Sequence, residues 1–94
     1  MATFIVRHKV QNYETWKKVF VENGKVRALF GFTGSRVYRY VDDPNHLIVV
    51  CEVKDIRKAK ALATSRDHAQ VMKEAGVLDE PKFFYLDDGE SFPS

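Results

Sequence analysis

The chain has 94 residues, of which 45% are hydrophobic and 30% charged, the composition of a single globular domain over residues 1–94. A formal net charge of +2 and scattered basic residues argue against a nucleic-acid partner, and no apolar run is long enough to span a membrane. The single cysteine, Cys51, excludes a disulfide within the chain and a cysteine metal site. Together with a first segment that lacks the charged start of a signal peptide, it leads us to expect a cytoplasmic protein.

The first third of the chain predicts a strand followed by a long helix. Apolar residues alternate with polar ones over residues 3–10, as in a half-buried strand. Asn12 is suited to cap a helix, and large side chains recur at three- and four-residue steps over residues 13–30. We therefore predict one helix in this stretch, ended by a short loop between Gly31 and Gly34.

A β-hairpin is predicted in the middle of the chain. A strand over residues 36–41 leads into the turn sequence Asp-Asp-Pro-Asn at residues 42–45. The following strand, residues 46–53, contains an unbroken apolar run that is rich in β-branched residues. Both faces of this strand are apolar, so both faces require a cover.

Two helical segments and a last strand are predicted after the hairpin. Asp55 is suited to cap a helix that breaks near Thr64 and Ser65 and then restarts, because Thr64 with Asp67 three residues on resembles a capping box. The restarted helix is predicted to end at Gly76. The last strand is predicted over residues 82–86, and a loose tail over residues 87–94.

The predicted order β-α-β-β-α-β is that of a ferredoxin-like α+β fold with a four-stranded antiparallel sheet. A chain of this length has enough helices to cover one face of the sheet, and the apolar strand at residues 46–53 shows that the other face is also apolar. We therefore expect a homodimer in which the sheets of two subunits pack face to face around a twofold axis.

Several short motifs make the chain similar to the dimeric α/β-barrel superfamily, and in particular to the small proteins related to antibiotic biosynthesis monooxygenases. The resemblance extends over about residues 3–86. The motifs that carry it are His8-Lys9-Val10, Tyr13 and Trp16, Gly34 before Val37-Tyr38-Arg39, Asp42-Asp43-Pro44-Asn45 before a strand with Glu52 near its end, and Ala75-Gly76-Val77.

The resemblance implies a dimeric barrel, a small-molecule pocket between sheet and helices, and no cofactor. Relatives include cofactor-free oxygenases of polyketide quinols, heme-degrading oxygenases and polyketide cyclases, so the fold does not fix the reaction. The first strand lacks the asparagine of the heme-degrading members, which disfavours that activity. His68 lies where a cyclase of the superfamily has its histidine, but no tyrosine precedes it on the helix, so Tyr38, Tyr40 or Tyr85 would have to be its partner.

His68 and His8 are the candidate catalytic residues. The ordinary pKa of histidine suits a general base near neutral pH, which is the role we assign to His68. A capping or surface histidine is the alternative for His68, and a hydrogen-bonded core histidine is the alternative for His8. The three histidines His8, His46 and His68 are too widely spaced in the sequence to form the close ligand pairs of a metal site.

The candidate substrate-binding residues are Trp16, Tyr40, Arg27, Glu52 and Met72. Each has a structural alternative: Trp16 as a core anchor, Glu52 as one half of an ion pair with Arg7 or Arg39, and Arg27 as a residue that flanks the apolar stripe of its helix.

Three functions remain open at this point. The first is a cofactor-independent monooxygenase or cyclase that acts on a small apolar, aromatic or polyketide-like compound. The second is a non-catalytic ligand-binding or stress-response protein, and the third is a structural dimer whose pocket is filled by its own side chains. The space between sheet and helices distinguishes the third from the others, because a filled pocket cannot hold a ligand.

Overall fold

The computed structural model describes all 94 residues and contains four strands and four helices. In chain order these are β1 (Ala2–Lys9), α1 (Tyr13–Glu22), α2 (Gly24–Leu29), β2 (Phe32–Arg39), β3 (His46–Val53), α3 (Ile56–Ala63), α4 (Arg66–Glu74) and β4 (Lys82–Leu86). Each helical position of the predicted β-α-β-β-α-β order is therefore occupied by a pair of short helices.

The four strands form one antiparallel sheet in the order β2-β3-β1-β4. The two central strands are β1 and β3, and their register places Val6 opposite Val49 and His8 opposite Leu47. This is the ferredoxin-like arrangement, and it confirms the predicted fold. The most apolar strand of the chain lies in a central position, where both of its edges are paired, with β1 and with β2.

One face of the sheet is covered by the helices and carries the core. Every second residue of β3 from Leu47 to Val53 is buried on this covered face, as the alternation of the strand predicted. Phe4 and Val6 of β1 lie beside them, and Ala59 of α3 and Trp16 of α1 pack on top.

The long helix predicted over residues 13–30 is wrong in one respect, because the structure divides it at Asn23. The N-cap is as predicted, since Asn12 Oδ1 accepts a hydrogen bond from the Thr15 amide at 3.0 Å. At the break, the Asn23 side chain donates to the carbonyl oxygen of Val19 at 2.9 Å, and Gly24 follows. Asparagine and glycine both weaken a helix interior, so the pair Asn23-Gly24 was a signal for the break.

Two further boundaries differ from the prediction. Strand β2 begins at Phe32 and ends at Arg39, so Gly34 lies within the strand next to a β-bulge and does not close a loop. The cap of α4 is Ser65, whose Oγ accepts from the His68 amide at 3.1 Å, and not Thr64. Thr64 is the C-cap of α3: it donates its hydroxyl back to the Lys60 carbonyl at 2.8 Å, and its ψ of 4° is not the extended backbone of an N-cap residue.

The second face of the sheet has no cover within the chain, and we call it the open face. Its middle row runs Arg36, Val50, Ile5 and Phe84 across the four strands. Phe84 is 42% exposed there. The tail over residues 87–94 has no regular secondary structure, and none of the helices is long and apolar enough to cross a membrane.

Candidate functional site

A cavity of about 200 Å³ lies between the covered face of the sheet and the helices. The sheet contributes its floor, and α1, α2, α3 and α4 contribute its walls. The space is therefore not filled by the side chains of the chain, which argues against a purely structural protein. The lining is mostly apolar, and its polar or ionisable side chains are His8, Asn23, Arg27, Cys51, Asp67 and His68.

His8 enters the cavity from the sheet, because it lies two residues after Val6 on β1 and so shares the covered face with it. Only 3% of the residue is exposed, and neither Nδ1 nor Nε2 has a hydrogen-bond partner. The structural alternative for His8, a hydrogen-bonded core histidine, therefore does not match the structure. Burial lowers the pKa of His8 from 6.5 to about 4, although the carboxylate of Asp79 opposes that change. The imidazole is consequently neutral at neutral pH.

His68 enters the same cavity from α4. The Ser65 cap fixes the first turn of that helix by accepting from the His68 amide, and the imidazole Nε2 is buried without a partner. Burial lowers the pKa of His68, and the positive charge of Arg27 lowers it further. Two neutral imidazoles with unpartnered nitrogens therefore face one apolar space. A buried polar atom without a partner costs free energy, so both rings are suited to accept a hydrogen bond or a proton from a ligand.

Arg27 brings the positive charge to the cavity from α2. Its Nη1 donates to the Phe20 carbonyl oxygen at 2.8 Å, and its Cζ lies 3.6 Å from the centre of the Phe20 ring. Burial lowers the pKa of the guanidinium, which nevertheless remains charged at neutral pH because the ordinary pKa of arginine is so high. Asp67 lines the cavity as well, but it makes no ion pair with Arg27 within 4.0 Å.

An aromatic wall lies beside His8 in the same cavity. Trp16 is 4% exposed, its ring centroid lies 4.8 Å from that of Phe20 and 5.9 Å from that of His8, and Met72 lies on α4 in the same lining. Flat apolar surfaces of this kind favour a planar aromatic ligand. Of the predicted site residues, the structure thus brings together His8, His68, Trp16, Arg27 and Met72.

Tyr40 and Glu52 do not reach the cavity, and this corrects their predicted placement. Tyr40 follows the end of β2 and stacks on His46 with 3.7 Å between the ring centroids. Glu52 lies on the open face opposite Thr3, exposed and without an ion pair to Arg7 or Arg39. The alternation of β3 already places Glu52 on the face opposite to Cys51, so the sequence contained this outcome.

Cys51 and Asp67 line the cavity, and the sequence reasoning assigned neither to the site. Burial raises the pKa of the Cys51 thiol, although a hydrogen bond between Ser35 Oγ and Cys51 Sγ at 3.4 Å and the charge of Arg27 oppose that change. The group is therefore a thiol at neutral pH, which is a poor nucleophile. No three His, Cys, Asp or Glu side chains lie close enough together to hold a metal ion.

No protein-family model matches the sequence, and no curated protein matches it significantly. Solved structures do match the fold over nearly the whole chain. A structure described as an antibiotic biosynthesis monooxygenase has a TM-score of 0.65 at 12% identity, covering 96% of this chain and 100% of that one. SnoaB, a cofactor-independent oxygenase from Streptomyces nogalater, has a TM-score of 0.65 at 18% identity, covering 99% of this chain and 97% of that one.

A third match contains a ligand. The monooxygenase from ActVA-Orf6 of Streptomyces coelicolor, in complex with nanaomycin D, has a TM-score of 0.63 at 15% identity and covers 99% of this chain and 92% of that one. At these identities the matches establish a shared fold. The resemblance read from the sequence is confirmed at that level.

Proposed function

We propose that the protein is a cofactor-independent monooxygenase that acts on small hydroxylated aromatic or polyketide-like compounds, with His68 as the general base. One observation carries the proposal: two neutral imidazoles, His8 and His68, present unpartnered nitrogens to an otherwise apolar cavity of about 200 Å³. A cofactor-independent oxygenase needs a base and a dry pocket, because its substrate supplies all the electrons. The fold shared with SnoaB, described as a cofactor-independent oxygenase, supports this choice.

The first step is the transfer of a proton from a substrate hydroxyl to Nε2 of His68. His8 accepts a hydrogen bond from a second hydroxyl and orients the ring against Trp16. The resulting phenolate is electron-rich and donates an electron to O₂, after which a C–O bond forms at the ring carbon para to the phenolate oxygen. The peroxide takes up the proton held by His68 and becomes a hydroperoxide.

The second half of the reaction releases water. The hydrogen on the oxygenated ring carbon leaves as a proton, the O–O bond breaks, and the departing hydroxide combines with that proton. One oxygen atom stays in the product as a quinone carbonyl and the other leaves in water, so the four electrons that reduce O₂ all come from the substrate. The apolar lining excludes water from the anion and the peroxide, which limits side reactions.

A cyclase is less well supported than an oxygenase. The cyclase reading needs a tyrosine beside His68, and no tyrosine lines the cavity. A binding protein without turnover is the remaining alternative, and the experiment below distinguishes it from an enzyme.

We propose further that the functional unit is a homodimer that packs through the open face. Ile5, Val50 and Phe84 form a contiguous apolar row there that the chain itself leaves uncovered, and contiguous apolar surface of this kind marks interfaces. Charged residues form a polar rim around this row: Arg36 on β2 at one end, and Arg7 and Lys82 beside it.

Oxygen consumption tests the proposed reaction. The substrate is 1,5-dihydroxynaphthalene, whose oxidation by one O₂ gives 5-hydroxy-1,4-naphthoquinone and one water, followed with an oxygen electrode and by the visible absorbance of the quinone. We expect turnover above the uncatalysed rate for the wild type and a loss of about 100-fold or more for His68→Ala, the range that general bases contribute. The control is His46→Ala, because His46 lies outside the cavity. Equal rates for His68→Ala and the wild type would exclude His68 as the base, and binding without turnover would favour the non-catalytic alternative.

A further inference from the structure

Arg27 is a cation without a counterion in a cavity that otherwise has little charge. The two ion pairs of the chain join the N-terminal amine to Asp88 and Arg57 to Asp55, and none of these residues lines the cavity. The one carboxylate in the cavity lining, Asp67, lies on exposed α4 surface and does not reach Arg27 within 4.0 Å. A half-buried guanidinium of this kind is stabilised most by an anion that enters with the ligand.

The geometry of Arg27 leaves hydrogen-bond donors available. A guanidinium has five N–H donors, and the only bond that it makes here runs from Nη1 to the Phe20 carbonyl oxygen. The Phe20 ring packs against the flat face of the guanidinium, with Cζ 3.6 Å from the ring centre, so the guanidinium is held in one orientation. A guanidinium held in this way, with free N–H donors along its edge, can bind both oxygens of a carboxylate.

The charge of Arg27 acts across the cavity. It lowers the pKa of His68 on α4, and it opposes the rise that burial causes in the pKa of Cys51 on β3. These two residues line other walls of the cavity. A ligand held between these walls therefore experiences the same positive potential. The effect is strong in a cavity with an apolar lining because little solvent screens it.

From this arrangement we infer that the ligand carries a carboxylate on an aromatic frame of one or two rings, and that Arg27 is the residue that selects it. The inference rests on the cavity being the ligand site of the proposed function. A carboxylate has one negative charge, which one guanidinium balances, whereas a phosphate monoester has close to two at neutral pH. The volume of about 200 Å³ exceeds the cavity of about 150 Å³ that holds benzene in another protein, and this sets the size of the frame.

The same anchor sets the direction of the ligand. With its carboxylate at Arg27 on α2, the ring extends along Trp16 toward His8 on the sheet and His68 on α4. A hydroxyl on that ring then meets the unpartnered imidazole nitrogens. Arg27 is therefore a binding and positioning residue for the chemistry proposed at the histidines.

Calorimetric titration with a matched pair of non-reactive ligands tests the inference. The pair is 2-naphthoate and 2-naphthamide, which have the same shape and differ in charge. We expect the wild type to bind the carboxylate about tenfold more tightly or better, the ratio given by one hydrogen bond to a charged group. Arg27→Gln should lower this ratio to about one, and Arg27→Lys should retain part of it because it keeps the charge.

Lys25→Gln is the control, because it removes the same charge from the same helix at an exposed position outside the cavity. Arg27 also bonds the Phe20 carbonyl, so the variants are first compared by thermal unfolding. A purely structural role would weaken both ligands alike and leave the ratio unchanged, which would overturn the inference. An unchanged ratio in Arg27→Gln, or no binding of either ligand at millimolar concentration, would overturn it as well.

These titrations do not depend on turnover. A carboxylate preference that Arg27 controls, combined with no oxygen uptake from either 1,5-dihydroxynaphthalene or its carboxylate 1,5-dihydroxy-2-naphthoate, would uphold the inference and refute the oxygenase. Oxygen uptake without a preference for the carboxylate ligand would uphold the oxygenase and refute the inference.

Discussion

Replacing His8 by leucine should remove most of the sensitivity of the fold to mild acid. The imidazole is 3% exposed and neither of its nitrogens is hydrogen-bonded, so the folded state holds it neutral. The pKa of His8 is about 4 in the folded protein against 6.5 for the free side chain. Between these values the unfolded chain binds a proton that the folded chain does not, so the free energy of unfolding falls as the pH falls.

The size of the effect follows from the two pKa values. At 1.36 kcal/mol for each pKa unit, the full difference between 6.5 and about 4 corresponds to about 3 kcal/mol. Most of this, about 2 to 3 kcal/mol, is lost between about pH 7.5 and about pH 4.5. Domains of this size are stabilised by only about 5 to 15 kcal/mol, so the loss is a large fraction of the total.

Urea denaturation followed by the fluorescence of Trp16, the single tryptophan, measures the effect. The free energy of unfolding is determined at both pH values for the wild type, His8→Leu and the control His46→Gln. His8→Leu should be about as stable as the wild type at the higher pH, because it removes a buried polar group that lacks a partner. It should lose less than the wild type at the lower pH, although His68, whose pKa burial also lowers, contributes a remainder of the same sign. An identical pH dependence in the wild type and His8→Leu would refute the assignment of a buried neutral imidazole.

Three further substitutions test the fold. Asn12→Ala removes the side-chain acceptor for the Thr15 amide and should lower the free energy of unfolding by about 1 kcal/mol in urea denaturation. Gly76→Ala should cost about 1 kcal/mol by the same measurement, because the backbone there has a φ of +82°, whereas the added Cβ meets no atom closer than 3.6 Å. Val50→Lys places a charge in the middle of the open face and should yield a monomer in sedimentation at micromolar concentration, whereas Val41→Lys, at a fully exposed position, should remain dimeric.

The sheet could be predicted from the sequence because its pattern is local and redundant. The alternation in β3 assigns each residue to a face, and the Asp-Asp-Pro-Asn turn fixes the hairpin, in which Asp43 Oδ1 accepts from the Asn45 amide at 3.0 Å. The corresponding alternation in β1 places His8 on the covered face. No local pattern shows whether that face is filled, since a cavity depends on how far the helices stand from the sheet.

The placement of Tyr40 follows from the same kind of alternation. Tyr40 was a candidate because a cyclase-like site needs a tyrosine beside His68. Its amide still donates to the His46 carbonyl oxygen at 3.0 Å, and Arg39 lies opposite Leu47 on the covered face, so alternation places Tyr40 on the open face. Tyr85 does lie on the covered face, packed against Phe4 at 5.4 Å between ring centroids, but outside the cavity lining.

The helix break that the sequence pattern did not predict is linked to the charge in the site. In an unbroken helix the Phe20 carbonyl would accept a hydrogen bond from the amide of Gly24, four residues on. At the break it accepts from the guanidinium of Arg27 instead, and a cation at the C-terminal end of a helix is favoured by the helix dipole. The same short turn that ends α1 therefore holds Arg27 over Phe20 at the cavity. A substitution that restores a continuous helix, such as Asn23→Ala with Gly24→Ala, should release the guanidinium from this position and reduce the carboxylate preference while stabilising the helix itself.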